Sequence, residues 1–343
     1  MGVPFEVAEK GLFEAVNELF ANDFRVRAVG ITRHEKAFGY RVVRNIALPV
    51  AFRAAPSLGA VNGVPVTYAD ALDETRAHVR IPIPPPVVAL ATGTPAEQGQ
   101  HRPLVCGLQI QNFDDDVRTG VIEHGGIVIG TLGCFVRSEE TSLVNLLSNN
   151  HVIAGENRGV KAADRILQPG SGTFVVAQHV ATLTDFVPLS WSPLGAHPTL
   201  GTVVWNDVDA AIAEVETAAG IGWQNEFLPV NGLPGLAGTD SVAVGDDIFK
   251  VGRTTGLTRG TVTSIATVVG PVGYGAQQAW FRNSIEIVGT DTGPFSSPKF
   301  PDQVDVSVRQ RGQSGRVDGA VLTTSERTPR ATRTRAAAGA WAW

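Results

Sequence analysis

His151, Asp209 and a serine near the C-terminal end are the residues of this chain whose types and order could together do chemistry. His151 sits in Leu147-Ser148-Asn149-Asn150-His151-Val152-Ile153-Ala154-Gly155, after an apolar run and before a small-residue turn. An imidazole titrates near neutral pH and can take the proton of a hydroxyl. Asp209 lies in Val208-Asp209-Ala210-Ala211-Ile212-Ala213, an acid set in an apolar strand pattern. A carboxylate there needs a partner, and it could hold an imidazole in one tautomer and stabilise the imidazolium. Base, then acid, then serine is the chain order of one arrangement that transfers acyl groups through a serine oxygen. Asp207 is the competing acid, because two residues apart in a strand share a face. Asp209 is preferred, since it lies deeper in the apolar run. A lone histidine would be read as a turn residue and a lone aspartate as a strand-end acid; their joint occurrence favours the catalytic reading.

Two serines compete as nucleophile. Gly312-Gln313-Ser314-Gly315 sets Ser314 between glycines, which allow a tight turn and let the backbone amides of Gly312 and Ser314 converge as an oxyanion hole. Val304-Asp305-Val306-Ser307-Val308 offers Ser307, but its β-branched flanks suit a strand and oppose such a turn. Ser314 is the choice, with Ser307, or no nucleophile at all, as the alternatives.

These residues need elements to position them. The chain has 343 residues, 43% hydrophobic and 18% charged, the balance of a globular protein with room for two or three folded units. Gly is abundant at 38 residues against a single Met, which leans toward strands and turns. A net charge of −5 gives no electrostatic case for nucleic acid or an anionic membrane. Two cysteines, Cys106 and Cys134, fit a reducing compartment better than a bridge-rich secreted one; they are read as partly buried thiols, with one disulfide as the other arrangement. Residues 1–6 lack a basic stretch leading into an apolar run, Glu6 speaks against acylation at Gly2, and no segment approaches the ~20 apolar residues of a membrane span. A cytoplasmic protein without membrane association is expected. The seven histidines are scattered without ligand spacing, so neither metal nor cofactor is expected. Gly252-Arg253-Thr254-Thr255-Gly256 lacks the Gly-Lys-Ser/Thr of a phosphate loop and predicts a β-turn.

Along the chain, Phe5, Ala8, Leu12, Ala15, Val16, Leu19 and Phe20 predict an amphipathic helix over 5–21. Strand patterns at 24–31, 40–48 and 63–68 complete a small α+β unit over 1–80. The Pro- and Gly-rich stretch 81–105 predicts a linker. From 106 onward short strands alternate with Gly, Pro, Asn and Asp turns, the pattern of a barrel or sandwich. After Lys299, Arg309, Arg311, Arg316, Arg327, Arg330, Arg333 and Arg335 crowd in without another Lys. That end is either a solvated basic tail or a stretch the preceding fold did not evolve with, as a reading-frame change would produce. An unordered tail over 326–343 is expected.

Residues 120–290 resemble the bacterial trypsin-like, chymotrypsin-fold serine peptidases that carry a small α+β domain before the barrel. Thr131-Leu132-Gly133-Cys134 with the His151 segment is similar to their histidine motif, and Val208-Asp209-Ala210-Ala211-Ile212-Ala213 to their aspartate motif. Lys250-Val251-Gly252-Arg253-Thr254-Thr255-Gly256 resembles a strand-turn signature of their second barrel, and Gly63-Val64-Pro65-Val66 and Arg102-Pro103 resemble their N-terminal part. The family's Gly-Asp-Ser-Gly, due shortly after Gly293-Pro294-Phe295-Ser296-Ser297-Pro298, is absent. The resemblance implies a mainly β protein: a chymotrypsin-like double β-barrel over 106–325, its second barrel left to be closed by 317–324 alone, preceded by the α+β domain. It implies a serine endopeptidase acting on protein or peptide substrates through His151, Asp209 and Ser314. The alternative is an inactive protease fold that binds or scaffolds, its nucleophile lost. Oligomeric state is not legible.

Overall fold

The computed structural model describes residues 2–45, 57–71, 81–82, 96–138, 141–217, 220–233, 235–236, 238–239 and 241–290, with the dipeptides 322–323, 335–336 and 341–342. The helical spacing at the start of the chain becomes α1 (Phe5–Asn22), whose buried stripe is Ala8, Ala15, Val16, Leu19 and Phe20. Glu6 in its first turn suits the positive end of the helix dipole. Asp23 ends it with extended backbone, its amide bonded to the Leu19 carbonyl and its carboxylate paired with Arg25.

The remaining elements are mostly short strands. They begin with β1 (Val26–His34), β2 (Ala37–Asn45), β3 (Ala60–Val61), β4 (Val64–Ala71), β5 (Ile81–Pro82), β6 (Leu104–Cys106) and β7 (Gln109–Asn112). A short helix, α2 (Phe113–Arg118), precedes β8 (Gly126–Ile127), β9 (Ile129–Thr131), β10 (Cys134–Arg137) and β11 (Val144–Ser148). A single turn of helix, α3 (Asn150–Ile153), leads to β12 (Arg165–Leu167), β13 (His179–Phe186), β14 (Trp205–Asn206), β15 (Ala211–Val215), β16 (Trp223–Phe227) and β17 (Gly238–Thr239). Then come β18 (Asp247–Gly252), the long hairpin β19 (Gly256–Tyr274) and β20 (Gln277–Gly289), and β21 (Leu322–Thr323), β22 (Arg335–Ala336) and β23 (Trp341–Ala342).

One sheet runs β10-β11-β15-β13-β12-β7-β9, antiparallel throughout. Its two edge strands, β9 and β10, are separated in the chain only by Leu132 and Gly133. Laid flat, the seven strands described would hold those edges ~29 Å apart. Three Cα steps reach at most ~11 Å. The sheet must curl until its edges meet, which makes a barrel. The Leu132 amide donates to the Leu108 carbonyl at 2.8 Å and the Gly133 amide to Leu147 at 2.9 Å, stitching the seam. Ile110, Leu132, Leu146, Ile166, Leu183 and Ala213 belong to the buried cluster that fills it.

The second sheet is organised by β19, which is 19 residues long. One edge pairs with β20, from Gly260↔Gly289 to Tyr274↔Gln277. The other edge is shared: β18 takes Gly256 to Thr261, and β1 takes Ile265 to Val269. The strand β2 continues the sheet beyond β1, and β4 lies parallel beyond β2. The strands expected as a separate α+β unit over 1–80 are therefore a continuation of the second sheet. An unpaired edge on so long a strand would leave a row of unsatisfied backbone groups, and β1 fills it. The helix α1 completes the join: Val16, Phe20 and Val29 share one buried cluster with Val268 and Trp280, and the Phe20 and Trp280 rings are 5.3 Å apart.

Other edges are covered too. The strand β14 runs parallel to β20 at Trp205↔Trp280, and β23 does so at Glu286↔Trp341. The strand β22 lies beside β18, and β21 joins β17 to β22. Within the stretch 326–343, expected to be unordered, the two described dipeptides thus serve as edge strands, satisfying ladder groups that β18 and β20 would otherwise leave open. No helix among the described residues is long and apolar enough to cross a membrane.

If α1 and the strands β1 to β4 pack as part of the second sheet, they cannot melt separately from it. Phe20→Ala should lower the stability of a single cooperative unfolding transition by about 3–5 kcal/mol. Two transitions in urea, with only the weaker one moved by the substitution, would contradict this.

Candidate functional site

His151 is placed by the way β11 ends. The Ser148 hydroxyl donates to the Thr131 carbonyl at 2.8 Å, closing the strand against the barrel seam. Asn149 then takes the N-cap position of the single turn α3 without a side-chain cap bond, and its side-chain amide donates across to the Asp209 carbonyl at 3.0 Å. Asn150 exchanges bonds with Asn157, its amide donating to Oδ1 at 2.8 Å and its Oδ1 accepting the Asn157 amide at 2.9 Å. The Asn150 side chain also donates to the Val187 carbonyl at 2.7 Å. Short polar side chains that bond nearby backbone are favoured at such turns.

Two glycines let α3 seat itself. A Cβ on Gly130 of β9 would lie 2.4 Å from Val152, the residue after His151. A Cβ on Gly155 would lie 2.3 Å from the Asp115 carboxylate of α2, and Gly155 has a φ of 53°. Asp115 is held by Arg158 and Arg118, and Asn112 donates to the Ile153 carbonyl at 2.8 Å. The loop after the histidine is thus clasped to α2.

Asp209 lies just before β15, in a segment without regular strand geometry. Its Oδ2 accepts a hydrogen bond from His151 Nδ1, and its Oδ1 accepts the His151 backbone amide at 3.2 Å. The Tyr274 hydroxyl, at the end of β19, donates to Oδ2 at 2.9 Å. All three residues are buried, with 3%, 4% and 1% exposure for His151, Asp209 and Tyr274. Burial pushes the Asp209 carboxyl up. The His151 charge, the His151 ring hydrogen bond, the Tyr274 hydroxyl and the His151 amide together outweigh it and hold the group below its ordinary value of 3.8. With Nδ1–H given to Asp209, proton exchange with a substrate falls to Nε2.

Asp207, the competing acid, does not share this face. Its carboxylate is exposed and pairs with Arg282 Nε at 2.8 Å and Asn283 at 3.1 Å. The regular strand ends at Asn206, so the two-residue alternation that would align Asp207 with Asp209 does not hold there. Ser314, Gly312 and Ser307 lie outside the described residues. Cys106 and Cys134 are buried free thiols in one apolar cluster, and burial pushes Cys134 up to about 12. Arg253, Thr254 and Thr255 form the turn between β18 and β19. Among the described residues no group of three His, Cys, Asp or Glu could hold a metal. Tyr274 was missed by sequence reasoning, because its partner Asp209 is remote in the chain. One signal was available: a tyrosine in an apolar strand needs a partner for its hydroxyl.

No family model and no curated protein matches this chain. Solved structures that overlap it include Protease A of Thermobifida fusca, with 13% identity, a TM-score of 0.30, and 57% of this chain and 71% of that one covered. Another is a glutamic acid-specific serine protease described as using a novel histidine triad in substrate binding, with 14% identity, a TM-score of 0.33, and coverage of 67% and 89%. The functional reading therefore rests on the His151–Asp209 geometry.

A carboxyl whose folded pKa lies below its unfolded value stabilises the fold above that unfolded value and loses the contribution as pH falls through the folded pKa. The stability difference between the native protein and Asp209→Asn should accordingly be full at neutral pH and shrink as pH drops below about 4. A difference that stays constant through the acid range in denaturant titrations would show that Asp209 is not held ionised by its neighbours.

Proposed function

We propose that the protein is a serine endopeptidase that hydrolyses peptide bonds through an acyl intermediate. The observation supporting this is the buried His151–Asp209 pair, in which one carboxylate takes both the ring Nδ1–H and the backbone amide of the same histidine. That arrangement sets one tautomer and orients Nε2 for proton transfer.

In this reading the Ser314 oxygen attacks the peptide carbonyl as its proton passes to His151 Nε2. The C–N bond then breaks, and His151 gives that proton to the leaving amine. Water attacks the acyl group with His151 again as base, which releases the acid and restores the serine. Asp209 stabilises the imidazolium in both halves. The amides of Gly312 and Ser314 would hold the negative oxygen, a role their glycine-flanked sequence suits. Protein or peptide substrates follow from this chemistry.

A fluorophosphonate probe with peptide mapping tests the proposal. It should label Ser314 in the native protein and fail to do so in His151→Ala, while Asp209→Asn should lower kcat by roughly 10⁴-fold. Adduct on Ser307 would keep the reaction and move the nucleophile. Folded protein that takes no adduct would overturn the proposal in favour of an inactive protease fold that binds.

A further inference from the structure

Tyr274 enters the site from the second sheet, whereas His151 and Asp209 are carried by the barrel. It closes β19 at a two-residue hairpin turn, Gly275 and Ala276, with a φ of 59° at Gly275, where a type II′ turn takes glycine. Its ring packs against Trp191 at 5.2 Å and Phe281 at 6.4 Å, and meets the His151 ring edge-on at 5.8 Å. Ala28 of β1 and Val43 of β2 share its buried cluster, together with Leu189. Leu189 is tied at both its amide and carbonyl to the Asn157 side chain, which is itself bonded to Asn150 beside His151.

A carboxylate can turn about its last side-chain bond, a torsion with broad wells. The His151 amide restrains Oδ1 through a long bond of 3.2 Å. A charge-assisted bond from a phenol held by packing on several sides restrains Oδ2 more firmly. Among the described residues, Asp209 and His151 are titratable groups that face this hydroxyl; Asp207, from the same segment, turns outward to Arg282.

We propose that Tyr274 is a positioning residue whose hydroxyl fixes the Asp209 carboxylate toward the His151 ring, and that β1 and β2 hold Tyr274 in reach by packing behind it. This rests on the acid–base reading of His151 and Asp209. It gives the N-terminal strands a part in the site, through Tyr274, that a separate α+β unit could not have.

Tyr274→Phe isolates the hydroxyl, because the ring and its packing remain. Carboxyl-carbon NMR of the intact protein should show the Asp209 titration moved up, since a donor to the anion has been removed. With a peptide substrate, kcat should fall about tenfold at unchanged KM, the loss of one hydrogen bond to a charged group. Val43→Ala, which leaves every site residue in place, should move the Asp209 titration in the same direction by less. A purely structural ring would leave Tyr274→Phe identical to the native protein in both readouts, and that result overturns the proposal. The titration needs no turnover. A shifted Asp209 in a protein without peptidase activity would uphold the positioning role while removing the peptidase reading, and an active enzyme with unmoved titration would do the reverse.

Discussion

A carboxylate taken out of water at Asp209 is the constraint to which the rest of the site answers. An unpaired ion in that position would cost several kcal/mol. It is tolerated because three donors converge on it: the His151 ring, the His151 amide and the Tyr274 hydroxyl. Two come from His151 on the barrel and the third from the second sheet. The ring and amide depend on β11 ending at Ser148 and on the clasp between α2 and the loop after α3. The carboxylate depends on β15 lying beside β11 in the barrel, where Ser148 pairs with Ala211. The hydroxyl depends on β19 reaching far enough from the second sheet.

That reach explains the N-terminal elements. A strand as long as β19 needs partners along its whole length, and β18 covers only part of one edge. The strand β1 takes Ile265 to Val269, with β2 beyond it and α1 packed against Trp280 through Phe20. Ala28 and Val43 share the buried cluster that contains Tyr274. If Tyr274 positions Asp209 as proposed, stability and chemistry are coupled through this packed cluster, which transmits a lost contact more readily than a loose one would.

Much of this was legible in the chain. The stripe from Ala8 to Phe20 was readable because helical spacing is local, and the run of short strands after residue 106 because turn residues punctuate it. His151 and Asp209 stood out by residue type in apolar surroundings. What failed was non-local. Asp207 was expected on the face of Asp209, but the backbone leaves strand geometry between Asn206 and Ala211. Gly270 and Pro271 interrupt the apolar pattern of β19, so the length of that strand has no local signature. In the structure they sit at a register shift between Val269 and Val272, and a Cβ on Gly270 would lie 2.5 Å from the Trp280 ring. The long edge that β1 pairs with is likewise non-local, whereas the Pro- and Gly-rich stretch 81–105 reads locally as a linker. Tyr274 was hidden because its partner Asp209 lies far away in the chain.

The most direct test of the account is the protonation of the His151 ring, read by nitrogen-15 NMR of the histidine-labelled protein at neutral pH. An Nδ1–H tautomer is expected, with a strongly low-field proton that disappears in Asp209→Ala. A ring protonated on Nε2 alone, or an Nδ1 proton at ordinary field that Asp209→Ala leaves unchanged, would contradict it.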